Sequence, residues 1–207
     1  MKGLLIKDFM LVKKHCFLTI LISIGFFAMS LLSKISMVFL YYSITIVSII
    51  SMTTIAYDET YKWNKYELIL PISRKTVVSE KYLFSLILVL PMIIIEAIIY
   101  LLVSGLPITD IFSLMSMMLL CGVILPIVVL PIVFKFGYIK GRIVNMIIIA
   151  LIAASISAIS GKNMLNGALL EGAFIPLKNA VLFAVISVIL MIVSFLISVK
   201  VYQKREL

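Results

Sequence analysis

The chain is a succession of long apolar blocks separated by short polar interruptions. The blocks fall at residues 17–32, 37–56, 83–103, 112–134, 143–160 and 180–202. A helix needs about 20 mainly apolar residues to cross roughly 30 Å of hydrocarbon, so six transmembrane helices are expected. The blocks are apolar on every face. Strands of an outer-membrane barrel alternate apolar and polar residues over about ten positions, and that architecture is excluded. The expected fold is an all-α integral membrane protein with one transmembrane domain spanning residues 1–207. Composition agrees: 64% hydrophobic residues, 13% charged residues and a mean hydropathy of +1.27 do not fit a soluble domain of 207 residues.

The charges give the expected orientation. Lys and Arg near the ends of spans stay on the cytoplasmic side. With both termini inside, fifteen of the eighteen basic residues lie inside, and only Lys34, Lys162 and Lys178 lie outside. The net charge of +9 then reflects topology and attraction to anionic inner-leaflet lipid, not nucleic-acid binding. The expected location is a cell membrane, with the basic loops on its cytoplasmic side.

Residues 1–16 read as a helix lying on the inner leaflet. Met1, Leu5, Phe9 and Val12 recur at helical spacing, Lys7 and Lys14 lie opposite, and Lys2 and Lys13 flank that face. His15 ends this helix with no second His or Cys/Asp cluster to share a metal. Cys16 and Cys121 sit at different depths and are expected to be free thiols. The first block lacks a clear break before the next span, so it reads as mature sequence and not as a signal peptide. The segment 161–179 is too mixed to span and reads as an outer loop with short helices dipping into the leaflet.

Within the spans there is no His, and Glu96 is the one carboxylate. An intramembrane enzyme needs a convergent set of nucleophile, base or metal ligands, which the sequence does not offer. Glu96 is costly in hydrocarbon and is therefore a candidate for a transport path; proximity to the outer surface, with Tyr100 one turn on, is the plainer alternative. Pro91, Pro126 and Pro131 each remove a backbone donor and are expected to kink or loosen their helices. Ala150, Ala154, Ser157 and Ala158 form a small-residue stripe that admits close helix approach, within the chain or between subunits.

The polar loop 57–82 breaks the apolar pattern most sharply. It carries five of the basic residues and the single Trp. Residues 59–70 suit a short helix ended by Pro71, and Ser73 can cap a new helix carrying Arg74, Lys75 and Lys81 into the third span. Aromatics mixed with charges of both signs mark protein interfaces. Headgroup anchoring would explain the aromatic residues but not Asp58, Glu59 and Glu67 among the bases.

The run Tyr57, Asp58, Glu59, Lys62, Trp63, Tyr66, followed by Leu70-Pro71-Ile72-Ser73-Arg74-Lys75, Val78, Lys81 and Tyr82, resembles the transmembrane subunits of ABC-2 type ABC transporters. A second patch adds Pro131, Phe134-Lys135-Phe136-Gly137 and Lys140-Gly141-Arg142. With the six-span layout the resemblance covers nearly the whole chain and is similar to the short bacterial permeases that export phenol-soluble modulins and other peptides. Ile69 departs from the pattern, where a small polar residue would precede Leu70-Pro71.

The resemblance implies two such permease subunits, identical or not, with two ATP-binding subunits. The 57–82 loop would be the coupling helix, with Asp58, Glu59, Lys62, Trp63, Tyr66 and Glu67 touching the ATPase and Ser73, Arg74 and Lys75 framing the contact. The chain itself has no GxxxxGK[ST] loop to cradle phosphates. No cofactor is expected on it, and ATP with Mg is expected on the partner, whose closing would alternate access to a path between the permeases. An amphipathic peptide or other amphiphile is the expected cargo. The competing reading is a membrane scaffold or peptide-immunity protein that acts without ATP.

Overall fold

The computed structural model describes residues 2–32, 36–63, 66, 73–104, 107–165 and 177–204. Among these residues the chain forms seven helices. They are α1 (Lys2–His15), α2 (Phe17–Leu32), α3 (Ser36–Thr60), α4 (Arg74–Ser104), α5 (Ile108–Phe136), α6 (Tyr138–Leu165) and α7 (Leu177–Gln203). Each predicted apolar block lies within one of α2 to α7.

Four of these helices, α3, α4, α5 and α7, are long and apolar enough to cross a membrane. The pair α1 and α2, bent by 73° at Cys16, gives a fifth candidate if counted as one span. The described residues thus support four or five spans where the pattern suggested six. On its own α2 has 16 residues, roughly 24 Å at 1.5 Å per residue, which falls short of a hydrocarbon core of about 30 Å. In α6 the side chains of residues 152, 153 and 155–165 lie outside the described residues.

The bundle is apolar outside and hydroxylic inside. On α7 the buried residues include Ser187, Ser194 and Ser198, while Val185, Ile189 and Leu196 are exposed. On α2 the buried residues are Ser23, Phe27 and Ser30. The interior of α3 holds Ser43, Thr45, Ser48, Ser51 and Thr54. Lipid is as apolar as leucine, so small hydroxyl residues that permit close approach and hydrogen bonding are favoured between helices. Most of these hydroxyls return their proton to a carbonyl one turn back, as Ser51 does to Ser48 and Thr54 to Ser51.

At the centre α5 packs against α3, α4, α6 and α7. One apolar cluster joins Phe27, Leu40, Ile44, Ile93, Leu114 and Met118 from α2 to α5. A second joins Ile55, Val78, Tyr82, Val129, Phe134 and Tyr202 from α3, α4, α5 and α7. Gly122 lets three helices meet: a Cβ there would lie 2.6 Å from a Val89 methyl and 2.7 Å from an Ile44 methyl.

Pro126 and Pro131 lie inside α5 without ending it. A helical proline leaves the carbonyl four residues back without its donor, here Gly122 and Ile127. Neighbouring helices supply the missing protons. Ser48 of α3 donates to the Gly122 carbonyl at 2.6 Å, and Ser194 of α7 donates to the Ile127 carbonyl at 2.6 Å. The expected loosening is therefore answered by two side-chain clasps.

The small-residue stripe on α6 leaves Ala150 and Ala154 exposed, so at those two positions none of the described helices packs on it. The side chains of Ser157 and Ala158 lie outside the described residues, as do residues 166–176 of the predicted outer loop.

Candidate functional site

The predicted second span does not stop at residue 56; α3 continues to Thr60. Its 25 residues cover roughly 37 Å at 1.5 Å per residue. That exceeds the hydrocarbon thickness, so its charged last turn can stand beyond it. Asp58 and Glu59 thus belong to the end of a long helix and not to a separate short one. The helix ends where Lys62 takes φ 55, the left-handed conformation common after helix C-termini. Of the segment that follows, Glu67, Leu70, Pro71 and Ile72 lie outside the described residues. Ser73 does cap α4: the Thr76 N–H donates to Ser73 Oγ at 3.2 Å.

Behind the loop lies a buried ionic cluster. Lys81 Nζ, on α4, donates to Asp8 Oδ2 of α1 and, at 2.7 Å, to Asp58 Oδ2 of α3. Lys7 Nζ donates to Asp58 Oδ1 and stands 3.1 Å from Asp8 Oδ1. Glu80 Oε2 lies 3.8 Å from Lys81 Nζ. Asp8, Asp58, Glu80 and Lys81 are all buried. Asp8 and Asp58 thus share two ammonium groups, with the Glu80 carboxyl beside them, and each helix contributes a charge the others need. Such a cluster survives burial only while its members stay paired. Asp8 stands on α1, outside the four spans. Its burial would raise the carboxyl pKa, but the Lys81 and Lys7 charges outweigh this and hold it below the ordinary carboxylate value.

This cluster explains the setting of α1. The buried face runs through Leu4, Asp8 and Val12, rotated from the expected stripe of Leu5, Phe9 and Val12. Phe9 is 45% exposed and touches Phe84 edge-on at 5.4 Å. Ionic pairing of Asp8, more than the apolar moment, sets which side of α1 faces the bundle.

Around the cluster the loop is tied to the ends of other helices. The Tyr138 N–H, at the start of α6, donates to Glu59 Oε1 at 2.9 Å. A carboxylate there satisfies an otherwise unpaired helix N-terminal donor and complements the positive end of the dipole. Arg74 donates to the Gln203 carbonyl at 2.9 Å and the Tyr202 carbonyl at 3.3 Å, capping α7 in the complementary sense. Lys7 Nζ sits 4.7 Å from the centre of the Trp63 ring. His15 stacks on Tyr57 at 4.4 Å, and Tyr57 on Tyr61 at 6.1 Å. A cavity of about 30 Å³ lies among Lys7, Asp58, Glu59, Trp63, Glu80 and Lys81.

The loop residues named from sequence therefore divide into two sets. Asp58, Glu59, Trp63 and Arg74 face partners within the chain. Lys62, Tyr66, Ser73 and Lys75 are exposed, as is Tyr61. All the ends that carry the predicted inside charges meet here: the tips of α3, α5 and α7 and the starts of α4 and α6. Lys7, Asp8, Glu80 and Lys81 were not singled out as site residues by sequence. The available signal was Asp8, an acid inside an otherwise basic and apolar helix.

Glu96 stands apart, in the other half of the bundle. It is fully buried among α2, α3 and α4. Ser43 Oγ donates to Glu96 Oε1 at 2.6 Å, and Oε2 has no hydrogen-bond partner among the described residues. Tyr100, one turn on, is buried too. Among the described residues no group of three or more His, Cys, Asp or Glu side chains could hold a metal ion. Cys16 and Cys121 are free.

A family model described as ABC-2 family transporter protein matches residues 3–203. No curated protein and no solved structure matches the chain.

Proposed function

We propose that this chain, which belongs to the ABC-2 transporter family and is a multi-pass permease subunit of an ABC transporter, receives its ATP-binding partner on the loop between α3 and α4. The observation that carries this reading is the double attachment of the loop. Glu59 at its start holds the first donor of α6, and Arg74 at its end holds the last carbonyls of α7. A push on the exposed Tyr61, Lys62 and Tyr66, framed by Ser73 and Lys75, would reach α6 and α7 through these two bonds, and α1 through Asp58, Lys7 and Lys81. Glu67 is proposed to join that exposed contact.

On this reading the partner hydrolyses ATP with Mg, two copies of it work with two permease subunits in a bacterial cytoplasmic membrane, and both termini of this chain face the cytoplasm. Nucleotide-driven closure of the ATPases rocks the bundle between two states, which requires that the loop contact differ between them. The proposed cargo is an amphipathic peptide or similar amphiphile, exported. The apolar exterior and the lack of an open charged site among the described spans support an amphiphile over a small sugar. Glu96, sealed against Ser43, is better read as a helix-pairing group than as a lining of the path.

The test is co-purification with a co-expressed ATP-binding subunit. Tyr66→Ala combined with Tyr61→Ala is expected to lower capture of the ATPase while the permease stays folded. Equal capture by wild type and variant would remove the loop from the contact.

A further inference from the structure

Between α4 and α7, over the face of α5, runs an open apolar groove of about 480 Å³. Leu83, Leu86 and Leu90 form one wall, Val188 and Ile192 the other, and Leu119 lies on its floor. The Tyr82 hydroxyl closes the walls together at one end, bonding Ser194 Oγ at 2.6 Å and Ser198 Oγ at 2.8 Å.

On α4 the groove extends from Ser79 to Leu90, twelve residues whose eleven steps cover roughly 16 Å at 1.5 Å per residue. That is about half of a 30 Å hydrocarbon core, the depth of one leaflet. Its polar end is the end where the basic residues gather. Lys75 lies four residues before Ser79, whose hydroxyl bonds the Lys75 carbonyl at 2.8 Å. The two side chains therefore share the groove's face of the helix. Lys75 is exposed, and its long stem can carry the ammonium to the headgroup layer. Lys200, in the last turn of α7, adds positive charge at the same end.

We infer that this groove is a binding site for one anionic phospholipid, with an acyl chain laid between α4 and α7 and the phosphate held beside Lys75 and Ser79. The length matches a single leaflet, the walls are apolar, and the charge at the mouth is complementary to an anionic headgroup. A second copy of the chain or an amphipathic peptide would not require an apolar trough of leaflet depth ending at a lysine. The inference rests on the membrane-spanning fold and not on the transport reading, so either can fail without the other.

The test uses the full chain in nanodiscs containing phosphatidylglycerol or phosphatidylcholine, each with a photoactivatable acyl chain, and mapping of the labelled residues. Labelling is expected on α4 and α7 within the groove, with about a fivefold preference for phosphatidylglycerol from one lysine at the mouth. Lys75→Gln is expected to remove that preference and leave acyl labelling. Leu86→Trp, which fills the trough, is expected to remove labelling with both lipids while the thermal midpoint stays near wild type. Val188→Trp, on the opposite wall, repeats the test should Leu86→Trp fail to fold. Unchanged labelling in both tryptophan variants, or equal labelling by the two lipids in the wild type, would overturn the proposal. So would efficient disulfide formation between two copies through Val188→Cys, which would give the groove to a second subunit.

Discussion

Ser194 of α7 donates its hydroxyl to the carbonyl of Ile127, the oxygen that Pro131 deprives of its helical partner. The same relation recurs one turn and a half away, where Ser48 of α3 serves Gly122 below Pro126. Two prolines on the central helix thus become two attachment points for its neighbours. Breaking the helical ladder in hydrocarbon is tolerated where such side chains re-satisfy the freed group.

Ser194→Ala should therefore lower stability by about 1–2 kcal/mol, the cost of a buried acceptor without a donor moderated by what membrane hydrogen bonds typically give. Adding Pro131→Ala, which returns an N–H to Ile127, should recover part of that loss. Thermal unfolding in detergent of both singles and the double variant measures the coupling. Strictly additive losses would mean that the serine and the proline are unrelated.

Lys81→Ala should be among the most damaging single changes at the loop end of the bundle. It leaves Asp8 and Asp58 buried around Lys7 alone, and breaking a buried ionic set by removing one member typically costs about 3–5 kcal/mol. The measurable outcome is release of α1, read as faster proteolysis between α1 and α2, with Asp8→Asn in the Lys81→Ala background recovering part of the loss. Proteolysis unchanged by Lys81→Ala would show that α1 is held by apolar contacts alone.

Gly141→Ala should destabilise the junction of α5 and α6 by about 1–3 kcal/mol, the usual range for overpacking. A Cβ at that position runs into a Val133 methyl. Val133→Ala should relieve the clash, so the double variant is expected to be more stable than Gly141→Ala. Gly137, four residues earlier, has φ 86 and should tolerate no larger residue whatever its neighbours, because the strain is in the backbone. Midpoints for the three variants distinguish the two causes.

The sequence made the scaffold readable because lipid imposes it. Every apolar block lies inside one helix, and Ser73 caps α4 as its residue type suggested. What could not be read was the direction in which polar groups face. The mixture of Asp58, Trp63 and Arg74 has the composition of an exposed interface, yet Asp58 answers to Lys81, 23 residues away, and Arg74 to the end of α7. These pairings depend on how helices are rotated against one another, which local composition does not carry. The same reason hid Ser48 and Ser194: the prolines were visible, while the hydroxyls that serve them were two among many similar serines until the packing placed them. Asp8 moved the face of α1 by about one residue for a related reason, since one buried acid outweighs several apolar contacts that lipid can satisfy equally well.

The most direct test of transmission through the loop is ATP turnover by the co-purified permease and ATP-binding subunit in proteoliposomes, comparing wild type with Glu59→Ala. This variant loses the acceptor for the Tyr138 N–H but leaves Tyr61 and Tyr66 exposed for contact. The expected result is normal capture of the ATPase with loss of turnover stimulated by an amphipathic peptide. Normal capture with fully retained stimulation would contradict a coupling role for the Glu59–Tyr138 bond.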